Sequence, residues 1–411
     1  MIDNCQDCTK CSGNQVKSTP SVPPITSIML IVTENCNMAC RYCFVHQKPI
    51  NMSLEVAMNA VKWLVEQPNV SGRPYSVNFF GGEPTILWDE IIVPVTTWVR
   101  EVYKKPFTLG MTTNGTLLTP DRLAYMDKNQ IGLLFSIDGD KEIQDRNRPM
   151  RNGKSSFDIL EPLIPEILRY YPNMTFRATM GRDGAKDMLA IHKFAVAKGY
   201  KHVFCTPNGH AIWTDDEINV LVNSMREVAD YWIELFRSGV SVGFDPLGRA
   251  VSEVTQYNRC LESNIHRNRQ SSSKCGVGGT SFASVDWKGN IYSCQEMVGN
   301  MDGKADEFHI GNIYTGVNDT KRLQMISEYN IQNVQSSKPN RCEACVRNRI
   351  CDGGCVVANL MATGNTHHMS EVMCVYYETA IKEMTRVLNI LGEEKNETAK
   401  QYFAKSLQKG R

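Results

Sequence analysis

From Thr26 onward the chain alternates short apolar runs with longer stretches in which apolar residues return every three or four positions. A period of two giving way to a period of 3.6, and back again, marks strands followed by amphipathic helices, and so a parallel sheet with helical crossovers. The pattern predicts strands at Ser27–Val32, Ser76–Phe80, Thr108–Thr112, Leu133–Ile137, Thr175–Thr179 and His202–Cys205. Helix ends are legible as well. Ser53 caps a helix whose Ala57, Ala60, Val61, Leu64 and Val65 share one face, and Pro68 stops it. Thr119-Pro120-Asp121 supplies a cap, a first-turn proline and an acid against the helix dipole. Thr214 to Glu217 reads as a capping box opening a long helix to about Ser238. Six strand–helix units, without a seventh or eighth, predict an α/β fold: a partial (β/α)6 TIM-like barrel, open on one side, with its chemistry at the C-terminal ends of the strands.

Those ends carry the unusual residues. The first strand runs into Cys36, Cys40 and Cys43, spaced C-x3-C-x2-C. A zinc site wants four ligands, whereas three thiolates leave one corner of a cubane open to a ligand from outside the protein. The second strand ends in Phe79-Phe80-Gly81-Gly82-Glu83-Pro84, where two glycines allow a close backbone approach. The third and fourth end in Thr112-Thr113-Asn114-Gly115 and Ser136-Ile137-Asp138-Gly139, short polar side chains suited to a ribose diol. Arg177, flanked by apolar residues on the fifth strand, is expected to point inward, toward a bound carboxylate or a structural one. Cys205 reads as a small core residue.

Bulk properties narrow the partners. At 411 residues the chain suits a barrel-sized domain plus a second unit. With 45 Lys and Arg against 44 Asp and Glu, neither nucleic acid nor an anionic membrane is called for. No apolar run reaches transmembrane length and the first residues lack the form of a signal peptide, so a cytoplasmic location is expected. In that reducing setting 15 clustered cysteines point to metal rather than disulfides. Residues 1–24 form a Cys- and Pro-rich arm whose Cys5, Cys8 and Cys11 could give three ligands to another cluster or a zinc; no role in the mechanism is assigned to them.

The cysteine triplet, with the aromatic Tyr42 before its last member, resembles the cluster loop of the radical S-adenosylmethionine (SAM) superfamily, and Gly81-Gly82-Glu83 resembles that family's GGE motif. The resemblance implies a [4Fe-4S] cluster on Cys36, Cys40 and Cys43, with SAM on the fourth iron. Tyr42, Gly81, Gly82, Glu83, Asn114, Ser136, Asp138 and Arg177 are then the expected cofactor contacts. Substrate or SAM contacts are also expected from the segments Gln144 to Arg148 and Asn152 to Phe157. Downstream, Cys275, Cys294, Cys342, Cys345, Cys351, Cys355 and Cys374 stand at the spacings of a SPASM domain. Two auxiliary [4Fe-4S] clusters need eight thiolates, and Cys260 is the natural eighth. The resemblance gives Cys260, Cys275, Cys294 and Cys355 to one cluster and Cys342, Cys345, Cys351 and Cys374 to the other, three clusters in all. The domain reading is an arm at 1–24, the partial barrel at 25–240, the SPASM domain at 241–385 and a helical tail at 386–411.

By the same resemblance, a reduced flavodoxin or ferredoxin feeds reductive cleavage of SAM to a 5′-deoxyadenosyl radical that oxidatively modifies a peptide or protein substrate. Anaerobic sulfatase maturases typically carry a basic Asp immediately after the second SPASM cysteine; here Gln295 follows Cys294, and an uncharged amide is no base. The expectation is therefore a maturase of a ribosomally made peptide, crosslinking at cysteine to a thioether. Sulfatase maturation and carbon–carbon crosslinking are the alternatives. The base is left unassigned, with Glu296 and Asp245 open. The 24 residues before the first strand are too few for a leader-binding domain, so leader recognition is expected in a separate protein or not at all.

Overall fold

Four strands pair in parallel and in sequence: β1 (Ser27–Thr33), β2 (Tyr75–Gly81), β3 (Phe107–Thr113) and β4 (Ile131–Phe135). A second parallel run holds β5 (Thr175–Met180), β6 (His202–Pro207) and β7 (Gly243–Asp245). The two runs meet through a single parallel bridge between Ser136 and Arg177. This architecture comes from a computed structural model that describes residues 22–69, 72–262, 276–280, 282–298, 305–329, 335–338, 340–348 and 350–409, leaving aside the side chains of 256–262, 305 and 406–409. Cys5, Cys8, Cys11, Cys275 and the side chain of Cys260 lie outside the described residues.

All six expected strands form, the fourth two residues early. Ile131 and Phe135 take the register opposite Leu109 and Thr113 of β3, both bury, and the chain then leaves β3 so that Ser136 meets Arg177. A seventh strand corrects the count of six: Gly243–Asp245 adds to β6 and carries the parallel run past residue 240. Three residues are too few to show a period.

The sheet continues on the other side of β1. β8 (Ala283–Val285) pairs with β1 in parallel, and β9 (Asn290–Tyr292), β10 (His309–Asn312) and β11 (Gly316–Val317) follow antiparallel. The late part of the chain thus shares an eight-stranded mixed sheet with β1 to β4.

The helix caps form as read. Ser53 accepts from the Val56 amide, Thr119 from the Arg122 amide, and Thr214 and Glu217 make both arms of a capping box on helix Asp215–Arg237. That helix buries Leu221, Met225, Val228, Trp232 and Phe236 along one stripe. Helix Glu371–Glu393 packs on it, and the Tyr376 hydroxyl donates to the Cys205 carbonyl at 2.5 Å. Cys205 itself is fully buried in the core. The expected tail is a packed helix, Glu397–Lys409, whose Tyr402 and Phe403 rings meet Trp232 and Phe236. No helix among the described residues is long and apolar enough to cross a membrane.

Candidate cluster and cofactor site

The loop after β1 is held from three sides. Behind it, the Gly82 amide donates to the Thr33 carbonyl at 2.7 Å and the Glu83 amide to the Asn35 carbonyl at 2.9 Å. A Cβ on Gly81 or Gly82 would run into those same carbonyl oxygens, so the two glycines let the end of β2 lie against the cysteine loop. On its flank, the Ala39 and Arg41 amides donate to the carbonyls of Pro149 and Asn147, and the Arg151 amide donates to that of Asn37. The polar segment after β4 is thus a clamp on the cysteine loop. From β3, Asn114 Nδ2 donates to Asn37 Oδ1 at 2.9 Å and lies 3.8 Å from Cys36 Sγ.

Glu83 is fully buried, and burial raises its pKa against the donors that surround it. Oε1 accepts from the Thr85 amide, from the Thr85 hydroxyl at 2.5 Å and from the Thr113 hydroxyl at 2.7 Å; Oε2 accepts from the Asn114 amide at 2.7 Å. It therefore ties the end of β2 to the end of β3. Asp138 is equally buried: Oδ2 accepts from the Tyr42 hydroxyl at 2.6 Å, and Oδ1 from the Thr179 amide at 3.2 Å. Arg148 completes this network, donating to Tyr42 at 2.8 Å and standing 4.0 Å from Asp138. Arg148 Nε is buried and has no partner among the described residues.

Ser136 and Arg177 are placed differently. Ser136 is half-buried at the β4–β5 bridge, and its hydroxyl has no partner among the described residues. Arg177 is exposed and stacks its guanidinium 4.5 Å from the Phe204 ring centroid. It forms no ion pair within bonding distance among the described residues, and the Glu296 carboxylate acts on its charge from further off. Asp245, one candidate base, is taken up by Arg249 at 3.2 Å.

The donor set fits an iron–sulfur cluster. Among the described residues no three His, Cys, Asp or Glu side chains converge as a single-ion site would need. What the loop offers is three thiols with N–H groups near sulfur: the Met38 amide 3.4 Å from Cys36 and Gln47 Nε2 3.9 Å from Cys43. Burial pushes the Cys36 thiol up to about 11 and raises that of Cys40, which a bound cation reverses by favouring thiolate. In the second cysteine field, the Ser336, Arg347 and Gly353 amides lie 3.2 to 3.4 Å from Cys342, Cys345 and Cys351. Cys374 is close enough to Cys351 to interact electrostatically, and burial pushes its thiol up to about 12. Cys355 Sγ lies 3.9 Å from Glu296 Oε2, two positions past Cys294.

A cavity of about 210 Å³ opens between the two fields. Tyr42, Cys43 and Phe44 line one wall, His210 and Glu296 another, and Met361 the rim. Glu296 is one of the two bases the sequence leaves open, but His210 carries no sequence assignment: 86 positions separate them, and no local spacing announces the pair.

Comparison with known proteins follows this geometry. The profile of the Radical SAM superfamily matches residues 30–195. The cysteine-type anaerobic sulfatase-maturating enzyme of Clostridium perfringens (strain ATCC 13124) is 23% identical over 353 residues, spanning 81% of this chain and 89% of that one. The radical SAM cyclopropyl synthase TigE of Paramaledivibacter caminithermalis is 24% identical over 389 residues, 88% of this chain and 74% of that one. Among solved structures, native anSMEcpe with bound AdoMet and Cp18Cys peptide superposes with a TM-score of 0.65 at 21% identity, over 89% of this chain and 99% of that one. Streptococcus suis SuiB bound to its precursor peptide SuiA gives 0.52 at 13% identity, over 86% and 76%.

Proposed function

We propose, with residues 30–195 a radical SAM domain, that this chain is a maturase which oxidatively modifies a ribosomally made peptide, crosslinking it at a cysteine to a thioether. The reading takes β1 to β7 as a partial barrel and residues 241–385 as a SPASM domain with two auxiliary [4Fe-4S] clusters. Cys36, Cys40 and Cys43 hold the SAM cluster, a flavodoxin or ferredoxin supplies its electron, and a separate protein presents any leader.

The observation that carries the reading is the cavity between the cysteine fields, with Cys43 on one wall and Glu296, the neighbour of Cys355, on another. A peptide side chain seated there stands between the two sets of ligands. When bound and reduced, the SAM-liganded cluster supplies a 5′-deoxyadenosyl radical that takes a hydrogen atom from the substrate. The chain's residues position and shield. Arg177, which forms no ion pair among the described residues, receives a carboxylate bidentately. Tyr42, Asp138 and Arg148 brace the loop, Asn114 holds Cys36 from β3, and Phe44, Val357 and Met361 keep water from the cavity.

Sulfatase maturation is the second reading, favoured by the Clostridium perfringens relative and by the carboxylate of Glu296, one position beyond Gln295. Anaerobic reconstitution with SAM and dithionite, against a cysteine-bearing peptide encoded beside the chain and a cysteine peptide cut from a sulfatase, separates the two. Loss of two hydrogens from the first peptide supports thioether formation. Formylglycine in the second alone would replace it with sulfatase maturation, and no 5′-deoxyadenosine from cluster-loaded protein would sink both.

A further inference from the structure

The loop after β6 is fixed by its own turn. The Asn208 amide donates to the Met180 carbonyl at 2.7 Å, the His210 amide to Asn208 Oδ1 at 3.1 Å, and the Trp213 indole to the Asn208 carbonyl at 3.0 Å. This sets the imidazole of His210 edge-on to Phe44, with ring centroids 6.1 Å apart, and brings Nε2 to 3.1 Å from Glu296 Oε2. Both side chains are about one-fifth exposed on the cavity wall. Nδ1 has no partner among the described residues.

We infer that His210 is the proton acceptor for the substrate in this cavity and that Glu296 is its positioning residue. The inference rests on the proposed function and deepens it. A carboxylate facing Nε2 fixes the tautomer that carries hydrogen there and leaves the Nδ1 lone pair bare, the arrangement by which a carboxylate turns a histidine into a directed base. The alternative, a pair that merely joins the β6 loop to the turn after Cys294, would not require an unpartnered nitrogen beside a cavity that also bounds Cys43. The charged and titratable groups around the pair are Arg41, Tyr42, Cys43 and His46 from the cysteine loop, Cys355, whose Sγ lies 3.9 Å from the same Glu296 oxygen, and Arg177, which acts on Glu296 from further off; Val357 and Met361 carry no charge.

The proton and electron count closes. The substrate gives one hydrogen atom, which ends in 5′-deoxyadenosine, then one proton to Nδ1 and one electron to an iron–sulfur cluster of the proposed second unit. It is oxidised by two electrons as the new bond forms, and the imidazolium left behind is held against the carboxylate of Glu296 until solvent takes the proton.

The test compares cluster-loaded parent, H210Q, H210A and E296Q on the cysteine-bearing peptide, following modified peptide per 5′-deoxyadenosine at one fixed pH. Equal iron and sulfide contents show intact sites. In H210Q the ratio should fall about a hundredfold, the size of a missing general base. Imidazole added to H210A should restore part of it. Ring nitrogen shifts of His210 in the oxidised parent should report hydrogen on Nε2, and in E296Q a loss of that preference. An unchanged ratio in H210Q overturns the inference while leaving the maturase reading intact, as does a raised SAM requirement at constant ratio, which would make His210 a cofactor contact. A parent that makes no 5′-deoxyadenosine would instead overturn the maturase reading.

Discussion

The Tyr42 hydroxyl donates to Asp138 Oδ2 at 2.6 Å, joining the cysteine loop after β1 to the end of β4 across 96 positions of sequence. Asp138 is fully buried and Tyr42 half-buried, and Arg148 is the cation that balances Asp138.

Breaking that network should cost unequal amounts. D138N leaves the buried Arg148 guanidinium without its counter-charge and should destabilise the cluster-free protein by about 3 kcal/mol, the scale of an uncompensated buried charge. Tyr42→Phe removes one hydrogen bond and should cost about 1 kcal/mol. Anaerobic urea denaturation of the two variants beside the parent measures both, and equal losses would contradict the charge assignment.

Gly82→Ala should act on the metal. Its new methyl would collide with the Asn35 carbonyl, so the loop bearing Cys36 must shift. Iron content after reconstitution should fall by about four atoms per chain, one cubane's worth, while the later cysteines load as before. A full complement of iron would show that the loop tolerates the movement.

Arg177→Gln should weaken SAM binding by about tenfold or more, because a charge-assisted pair of hydrogen bonds to the ligand carboxylate is lost. Calorimetric titration of cluster-loaded protein with SAM reads this directly. Arg177→Lys should recover only part of the affinity, since an ammonium lacks the planar fork.

His192 makes stability depend on pH. Its ring is fully buried against Phe244, Nδ1 meets the Met188 carbonyl at 2.7 Å, and Nε2 has no partner among the described residues. Burial lowers its pKa from 6.5 to about 4. Between those values the unfolded chain binds a proton that the folded one refuses, so stability falls as pH drops through this window, by about 3 kcal/mol at its foot. Denaturation midpoints from pH 7 to 4 should show the loss in the parent, and His192→Gln should flatten that part of the profile.

Much of this was readable in one dimension. Strands of alternating burial, the caps at Ser53, Thr119 and Thr214, and three cysteines placed just past a strand are local facts, set by side-chain period, backbone hydrogen-bond supply and ligand count. They determine the alternating α/β order and point to a cluster with an open corner. The tertiary structure decided the rest. Only packing shows that Glu83 is braced by Thr85, Thr113 and Asn114, that the polar run ending in Arg148 clamps the cysteine loop, and that β8 joins β1. The same holds for His210 and Glu296. Each lies in a short polar stretch that reads as an ordinary loop, because a hydrogen bond between distant segments leaves no period in the sequence. The chain's order picked out the three cysteines after β1, and the meeting of the β6 loop with the turn after Cys294 placed the His210–Glu296 pair on the cavity that Cys43 lines.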